Sequence, residues 1–334
     1  MTGAPLPDEF ELIRRFFAPL AGPGGLGLKD DAAVLDLPAG HSLVATTDAL
    51  VAGVHFLADD PPDLVARKML RVNLSDLAAM GASPLGYLMV TAFPDDIGVE
   101  WLERFVVGLA TDQAEYGVSL LGGDTTSTPG PLTLAVTALG AVEQGCALLR
   151  SGAKEGDLVY VSGTLGDGAF GLKVLRGAGG SLSASEREQL IDRYRLPRPR
   201  LGLGRRLVRL AHAAIDVSDG LIADLGHVAE TSGLAALVEA ERLPLSPPAR
   251  ALIGAGEASL VEAATGGDDY ELLFTVPAST AKTIERLADE LALPLTRIGR
   301  MEAGQGVRLL DARSVTISVG AGGYRHFCTP PIPD

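Results

Sequence analysis

The residues of this chain that could carry out chemistry are aspartates, which recur beside glycine or threonine in segments far apart in the sequence. Any one of them is explained by an ordinary role as a helix N-cap or turn residue, because aspartate is favoured in both positions. Together they indicate a shared site, since the same residue types return each time. The positions are Asp30 and Asp31, Asp48 after Thr46 and Thr47, Asp76 three residues after Asn73, Asp124 after Gly122 and Gly123, Asp216 and Asp219 around Ser218, and Asp268 and Asp269 after Gly266 and Gly267.

Convergence of four or five of these carboxylates would require cations. Two like charges ~4 Å apart at an effective dielectric constant of ~20 repel each other by about 4 kcal/mol. Oxygen ligands without histidine or cysteine favour magnesium or calcium over zinc. Magnesium usually completes its coordination with water and substrate phosphates. The pattern therefore predicts a site for divalent cations and phosphate groups.

Strand ends are expected to position several of these aspartates. Residues 42–48 are rich in β-branched side chains and predict a strand that ends at Asp48. A second apolar strand is predicted to end at Asp124, and residues 215–233 predict a strand end followed by a helix. The ends of strands are where α/β proteins build their binding sites.

Helical patterns fill much of the remaining sequence of the first half. Residues 63–81 predict a helix with a glycine C-cap, on which Asn73 and Asp76 share a face because they lie three residues apart. Residues 99–117 predict a strongly amphipathic helix, and residues 8–17 a short one.

Strands and helices interleave throughout, so the fold class is α/β or α+β. A chain of 334 residues exceeds what one core usually holds, which predicts two domains. A new unit begins near Arg150, so the boundaries are placed at 1–148 and 149–334.

Two glycine-rich segments resemble nucleotide-binding motifs. Gly166–Gly171 reads GDGAFG and fits the G-x-G-x-x-G pattern, which keeps an NAD-dependent dehydrogenase as an alternative function. The fingerprint also needs an acidic residue at the end of the next strand, and the sequence there is polar and predicts no strand. We interpret GDGAFG as a tight strand-to-helix turn. The segment GPGGLGLK, from Gly22, is not a P-loop because Leu28 precedes the lysine and an aspartate follows it.

Composition excludes several other classes of function. The formal net charge of −14 argues against a nucleic-acid surface, which needs a basic patch. Two cysteines, Cys146 and Cys328, fit neither a disulfide framework nor a zinc site. No segment predicts a membrane span or a signal peptide, so a cytoplasmic location is expected.

The order and spacing of these motifs closely resemble the thiamine-monophosphate kinase family, which belongs to the aminoimidazole ribonucleotide synthetase superfamily. The resemblance extends from Glu9 to Phe327. It rests on LKDDAAVL, ATTDALVAGVHF, RKMLRVNLSDLAAMGASP, LLGGDTT, RSGAKEGDLVYVSGTLGD, AAIDVSDGLIADLGHV, GGDDYELLFTVP and GGYRHF. It implies an N-terminal domain that dimerises through its sheet and binds ATP and magnesium, and a C-terminal domain that carries the substrate site.

The resemblance also implies roles for individual residues. The implied ligands of several Mg²⁺ ions are Asp30, Thr46, Thr47, Asp48, Asp76, Asp124, Asp216 and Asp219. The implied ATP contacts are Gly123, Asp124, Arg150 and Ser218, and the implied substrate contacts are His55, Asp268 and Tyr324. The chain departs from the family at Asp268, where the usual residue is glutamate, which is one methylene longer.

The implied reaction transfers the γ-phosphoryl group of ATP to thiamine monophosphate, giving thiamine diphosphate and ADP. A phosphate monoester has a second pKa near ~6, so the attacking oxygen is already deprotonated at neutral pH and no general base is needed. Catalysis then consists of positioning and charge neutralisation. A related ATP-using synthetase of the same superfamily is the other alternative.

Overall fold

The computed structural model describes residues 6–320 of the chain. The chain divides into two compact units, of which the first is Met1–Leu148 with Arg195–Arg209 and the second is Leu149–Tyr194 with Leu210–Asp334. The strands of the described part are β1 (His41–Val51), β2 (Ser83–Phe93), β3 (Leu120–Ser127), β4 (Thr133–Glu143), β5 (Leu158–Ser162), β6 (Ala213–Asp216), β7 (Ala235–Glu239), β8 (Leu272–Val276), β9 (Leu295–Glu302) and β10 (Gly306–Leu310). Its α-helices are α1 (Glu9–Leu12), α2 (Pro62–Ala79), α3 (Val99–Tyr116), α4 (Asp167–Leu175), α5 (Ala184–Arg195), α6 (Leu201–Leu207), α7 (Leu221–Ser232), α8 (Pro247–Gly254), α9 (Leu260–Thr265) and α10 (Ala281–Leu291).

The first unit contains a four-stranded sheet in the order β1-β4-β2-β3. β4 pairs antiparallel with β1 and β2, whereas β2 and β3 are parallel. One face of the sheet packs against α2, and on the other face the side chains of Leu43 and Val90 are 50% and 43% exposed. The alternation along β1 sets this division, because successive side chains of a strand point to opposite faces.

Helix α2 is the centre of the first unit. It begins at Pro62, where the missing N–H of proline costs nothing, and it packs against α3, α6 and the sheet. Buried Arg71 pairs with Asp112 of α3 and donates from Nη1 to the carbonyl of Pro197. A Cβ on Gly204 would lie 2.0 Å from the carbonyl oxygen of Ala78, so α6 reaches α2 in backbone contact. Residues 195–209 are thus built into the first unit.

The second unit contains a six-stranded mixed sheet in the order β10-β7-β9-β5-β8-β6. Only β10 and β7 are parallel among its pairs within the described residues. Its main core packs α7 onto the sheet, with Val159, Ile215, Leu225 and Leu273 all nearly inaccessible. A smaller apolar cluster joins α4, α5, α8 and α9 around Phe170.

The mixed fold class and most predicted elements are confirmed. The helices predicted over 63–81 and 99–117 are α2 and α3, and Gly117 ends α3 in the left-handed region at φ 66°. The segment 8–17 forms an α-helix only at its start and continues as a π-helical turn, Ile13–Phe17.

Two expected strand ends are wrong. Asp48 lies inside β1, which continues to Val51, and Asp124 lies inside β3, which continues to Ser127. Both strands are edges of the four-stranded sheet, so the polar residues after the apolar stretch still pair on one side and continue the strand. Asp216 does end its strand, β6.

Within residues 6–320, the structure contains no helix that combines the length and the apolar character needed to cross a membrane.

Candidate active site

Strand β1 and helix α2 bring four of the singled-out polar residues together. The Thr46 hydroxyl donates to Oδ2 of Asp76 at 2.6 Å, and the Asp48 backbone N–H donates to Oδ1 of Asn73 at 3.0 Å. Both contacts form side by side because Thr46 and Asp48, two apart on the strand, lie on the same side of it, and Asn73 and Asp76, three apart on the helix, share a helix face. The shared face expected for Asn73 and Asp76 is therefore confirmed.

Thr47 and His55 are held differently. The Thr47 hydroxyl lies on the opposite face of β1, where it donates to the carbonyl of Val136 and accepts from Thr137. The Val51 backbone N–H donates to His55 Nδ1 at 3.0 Å, just after the end of β1. Since Nδ1 accepts, the proton of the neutral imidazole is on Nε2, which leaves that atom as a hydrogen-bond donor.

A cavity of about 540 Å³ in the first unit collects another group of the predicted residues. Its lining includes the acidic pair Asp30 and Asp31, the strand residues Gly123 and Asp124, and apolar side chains such as Phe17. A Cβ on Gly123 would lie 1.8 Å from the carbonyl oxygen of Met89, so only glycine fits there beside β2. The cavity thus combines an apolar wall with carboxylates and with the exposed backbone of Gly123.

In the second unit, the turn after β6 carries Asp216, Ser218 and Asp219. Asp216 is only 3% exposed. The carboxylate of Asp224, in the first turn of α7, accepts from the backbone N–H groups of Asp219 and Gly220 at 3.1 and 3.0 Å. Burial, together with the charges of Asp216 and Asp219, raises the pKa of Asp224 to about 8. The carboxylates of Asp216 and Asp219 are thus each close enough to that of Asp224 to repel it.

The loop that carries Asp268 contacts this turn directly. The Asp268 N–H donates to the carbonyl of Ser218 at 2.9 Å, and the Tyr270 N–H donates to the carbonyl of Val217 at 2.8 Å. The Val217 N–H returns a bond to the carbonyl of Glu271 at 2.8 Å. A residue implied to contact substrate therefore lies next to one implied to contact ATP.

The GDGAFG segment is a strand-to-helix turn, as interpreted from the sequence. It follows β5 and opens α4, and the carboxylate of Asp269 accepts from the N–H groups of Gly166 and Gly168 at 2.7 and 3.0 Å. A dinucleotide would present its pyrophosphate to such N–H groups. Here they already bind a carboxylate, which removes the structural basis for the dehydrogenase alternative. Complete burial raises the pKa of Asp269 well above its usual range.

Arg150 is exposed and follows Leu149, whose carbonyl accepts from the N–H of Ala214 in β6. Tyr324 lies outside the described residues. In the part of the chain from 6 to 320, no three His, Cys, Asp or Glu side chains are arranged to hold a metal ion. The structure therefore brings predicted residues together in three places. These are the Thr46–Asp76 pair, the cavity of the first unit, and the turn 216–220 with the loop 266–271 in the second unit.

Two supporting roles were not expected from the sequence, that of Asp224 and that of Asp269, which the sequence singled out only as a member of the aspartate set. Asp224 and Asp269 both use their carboxylates to fix glycine-containing turns. An acidic residue in the first turn of a helix, as at Asp224, is a recognisable signal. Asp269 carried no such signal, because its partners lie about a hundred residues earlier in the chain.

The chain matches known proteins over nearly its whole length. Residues 29–142 match the family described as AIR synthase related protein, N-terminal domain, and residues 154–312 match its C-terminal domain. The thiamine-monophosphate kinase of Caulobacter vibrioides is 45% identical over 90% of this chain and 86% of its own length.

Solved structures give the same result. The crystal structure of thiamine-monophosphate kinase from Stenotrophomonas maltophilia superposes with a TM-score of 0.82 at 44% identity, covering 91% of this chain and 96% of that one. The structure of AaThiL complexed with AMPPCP and TMP gives a TM-score of 0.76 at 32% identity, covering 96% and 97%. The chain therefore belongs to the thiamine-monophosphate kinase family.

Proposed function

We propose that this protein is an ATP-dependent kinase that phosphorylates thiamine monophosphate, giving thiamine diphosphate and ADP. The observation that carries the proposal is the direct contact between the turn 216–220 and the loop 266–271, which joins the implied ATP contact Ser218 to the implied acceptor contact Asp268. The relative solved with AMPPCP and TMP supports a site that takes a nucleotide and a second ligand.

The chain's own residues bind and orient the two substrates. The acceptor phosphate is already deprotonated at neutral pH, so no side chain needs to remove a proton. Exposed Arg150 pairs with a phosphate of ATP, since its planar guanidinium fits phosphate oxygens. His55, which is oriented by the bond from the Val51 N–H to its Nδ1, contacts the acceptor.

The donor set fits magnesium. The implied ligands provide only oxygen, from carboxylates and hydroxyls, which is the chemistry Mg²⁺ prefers. Thr46 and Asp76, the cavity carboxylates Asp30 and Asp124, and the turn residues Asp216 and Asp219 would hold the ions, together with Thr47 and Asp48. When bound, magnesium neutralises the charge of the phosphates. Burial is the main cause of the raised pKa of Asp224, and the charges of Asp216 and Asp219 add to it; this local excess of negative charge supports a place for cations beside that turn.

The cavity of the first unit is the proposed place of the nucleotide. Its apolar wall suits a base, and Gly123 and Asp124 bring backbone and a carboxylate to the same space. In this proposal most of the ATP- and magnesium-binding residues belong to the first unit, and Asp268 of the second unit contacts the acceptor. A cytoplasmic location is part of the proposal.

We further propose that the protein is a homodimer joined through the sheet of the first unit. The open face of that sheet exposes Leu43 and Val90, apolar side chains of the kind that mark an interface. Light scattering is expected to give about twice the 34.5 kDa mass of the chain. Val90→Asp is expected to halve that mass, whereas Val107→Asp, on exposed surface of α3, is expected to leave it unchanged. A wild-type mass of one chain would exclude the dimer.

The decisive experiment mixes the purified protein with Mg-ATP and thiamine monophosphate and measures ADP and thiamine diphosphate by chromatography. Stoichiometric formation of both supports the proposal. If ADP forms with a different small phosphate compound but not with thiamine monophosphate, the kinase activity would stand and the proposed substrate would be wrong. Asp268→Glu, which restores the usual family residue, is expected to remain active.

A further inference from the structure

We infer that Asp269 is a positioning residue, whose buried carboxylate ties the N-terminus of α4 to the loop 266–271 and thereby sets how Asp268 meets the acceptor. This inference rests on the proposed function and adds to it a residue outside the substrate contacts. It also gives the GDGAFG segment a role, as the structural partner of the acceptor loop.

The backbone around Asp269 is strained in a way that needs an external anchor. Asp268 and Tyr270, its two neighbours, both have left-handed backbones, at φ 68° and 51°. Residues other than glycine rarely adopt this conformation, and it persists only where the surroundings fix it. The anchor must therefore hold the residue between them.

The Asp269 side chain provides that anchor. It is 1% exposed, and its two carboxylate oxygens each accept one backbone N–H, from Gly166 and Gly168. Arg193 donates from Nη2 to the Asp269 carbonyl at 3.2 Å, so the main chain is held as well. These bonds fix Asp269 from both its side chain and its backbone.

The contact with α4 is also closely packed. A Cβ on Gly168 would lie 2.3 Å from the carbonyl oxygen of Asp268. The glycine of the motif therefore lets the loop approach the helix start. Loss of the Asp269 bonds should therefore displace Asp268 as well, because the backbones of Asp268 and Gly168 are in contact.

The neighbouring ATP-contacting turn has an anchor of its own. Besides the bonds of Ser218 and Val217 with the loop 266–271, Asp224 holds this turn by accepting from the N–H groups of Asp219 and Gly220. Loosening Asp269 should thus weaken binding of the acceptor more than binding of ATP. This selectivity separates a positioning role from a general loss of structure.

The test is steady-state kinetics of Asp269→Asn, with thiamine monophosphate and ATP varied in turn. Asparagine keeps the volume but turns an NH₂ group towards one of the glycine N–H donors. We expect KM for thiamine monophosphate to rise about tenfold or more, and KM for ATP to change less than about threefold. The matched control is Asp157→Asn, which alters another buried carboxylate of the second unit that accepts the Lys154 N–H. It should lower the melting temperature without changing the ratio of the two KM values.

Equal rises in both KM values, or an unchanged KM for thiamine monophosphate, would overturn the inference. If Asp269→Asn does not fold, Gly168→Ala tests the same contact from the helix side, with the same expected preference for the acceptor. Hydrogen exchange gives a readout that does not depend on the substrate: Asp269→Asn should speed exchange of the Asp268 amide more than that of the Gly220 amide. If the wild type turns over no thiamine monophosphate, the proposed function fails, while this exchange difference still decides whether Asp269 holds the loop; equal exchange overturns it.

Discussion

The aspartates singled out for binding in the first unit and two supporting aspartates of the second unit are held in opposite ways. In the first unit, Asp30, Asp48 and Asp124 are exposed on a loop and on the two edge strands of the sheet. In the second unit, Asp224 and Asp269 are buried, and backbone N–H groups bind both carboxylates.

The difference follows from the cost of burying charge. A carboxylate in water keeps its hydration and needs no partner, whereas a buried one must be hydrogen-bonded. The exposed acids of the first unit therefore lie at the surface, where ligands can reach them, and the buried acids of the second shape the backbone that carries Ser218 and Asp268. The comparison separates residues that bind from residues that position.

The largest expected effect is the removal of divalent ions. Activity should be lost with EDTA and restored by magnesium, because carboxylates and ATP phosphates repel one another without cations. A coupled assay for ADP checks this, and calcium serves as the control ion of similar ligand preference. Full turnover in a metal-free buffer would show that the exposed acids do not act by binding divalent cations.

Asp76→Asn should have the next largest effect. It keeps the shape that accepts the Thr46 hydroxyl but removes the charge, so we expect activity to fall roughly a hundredfold or more. The melting temperature without ligand should hold or rise, since repulsion is relieved. Asp63→Asn, at the start of the same helix, is the control and should stay within about twofold. Unfolding of Asp76→Asn would make Asp76 a structural residue.

Arg195→Gln should have a moderate effect, because it loosens the loop after His55. Arg195 donates to buried Asp60 at 2.6 Å, and Asp60 in turn accepts the N–H of Leu57. Losing the partner of a buried charge should raise KM for the acceptor about threefold to tenfold. The exposed pair Arg104 and Asp63 gives the control, since Arg104→Gln should change neither substrate's KM. A KM effect on ATP alone would contradict the role of this loop.

The smallest expected effect is a dependence of stability on pH. Asp224 has its pKa raised from 3.8 to about 8, so the folded state keeps a proton that the unfolded state has released. The stability that this proton provides is complete below the unfolded pKa and is lost as the pH rises through the folded pKa. The melting temperature of the metal-free protein should therefore fall between about pH 4 and pH 8 and level off at higher pH.

Asp224→Asn should flatten that slope, because asparagine does not titrate. Differential scanning fluorimetry in EDTA measures both proteins under the same conditions. Parallel slopes for the variant and the wild type would show that another group causes the dependence.

Local patterns predicted most elements because their signals are local. The glycines at 81 and 117 adopt left-handed conformations beyond α2 and α3, where a residue without Cβ is favoured. The three-residue spacing of Asn73 and Asp76 likewise gave their shared face.

Long-range pairing could not be predicted in the same way. The strands that carry Asp48 and Asp124 continue beyond these residues because β4 and β2 lie alongside them, and sequence spacing does not show those partners. The bond from Gly166 to Asp269 spans 103 residues, so no window of sequence contains both. The first unit's cavity and the role of GDGAFG depended on such pairings.

Residues 195–209 have a consequence for how the protein is made on the ribosome. They supply α6 and the Pro197 carbonyl that accepts from Arg71, yet they are synthesised only after α4 and α5 of the second unit. The first unit therefore cannot complete its core when residue 148 leaves the exit tunnel, although domains usually fold as units during synthesis. Its last helix arrives while part of the second unit is already outside, so α2 must keep the α6-facing side open until then.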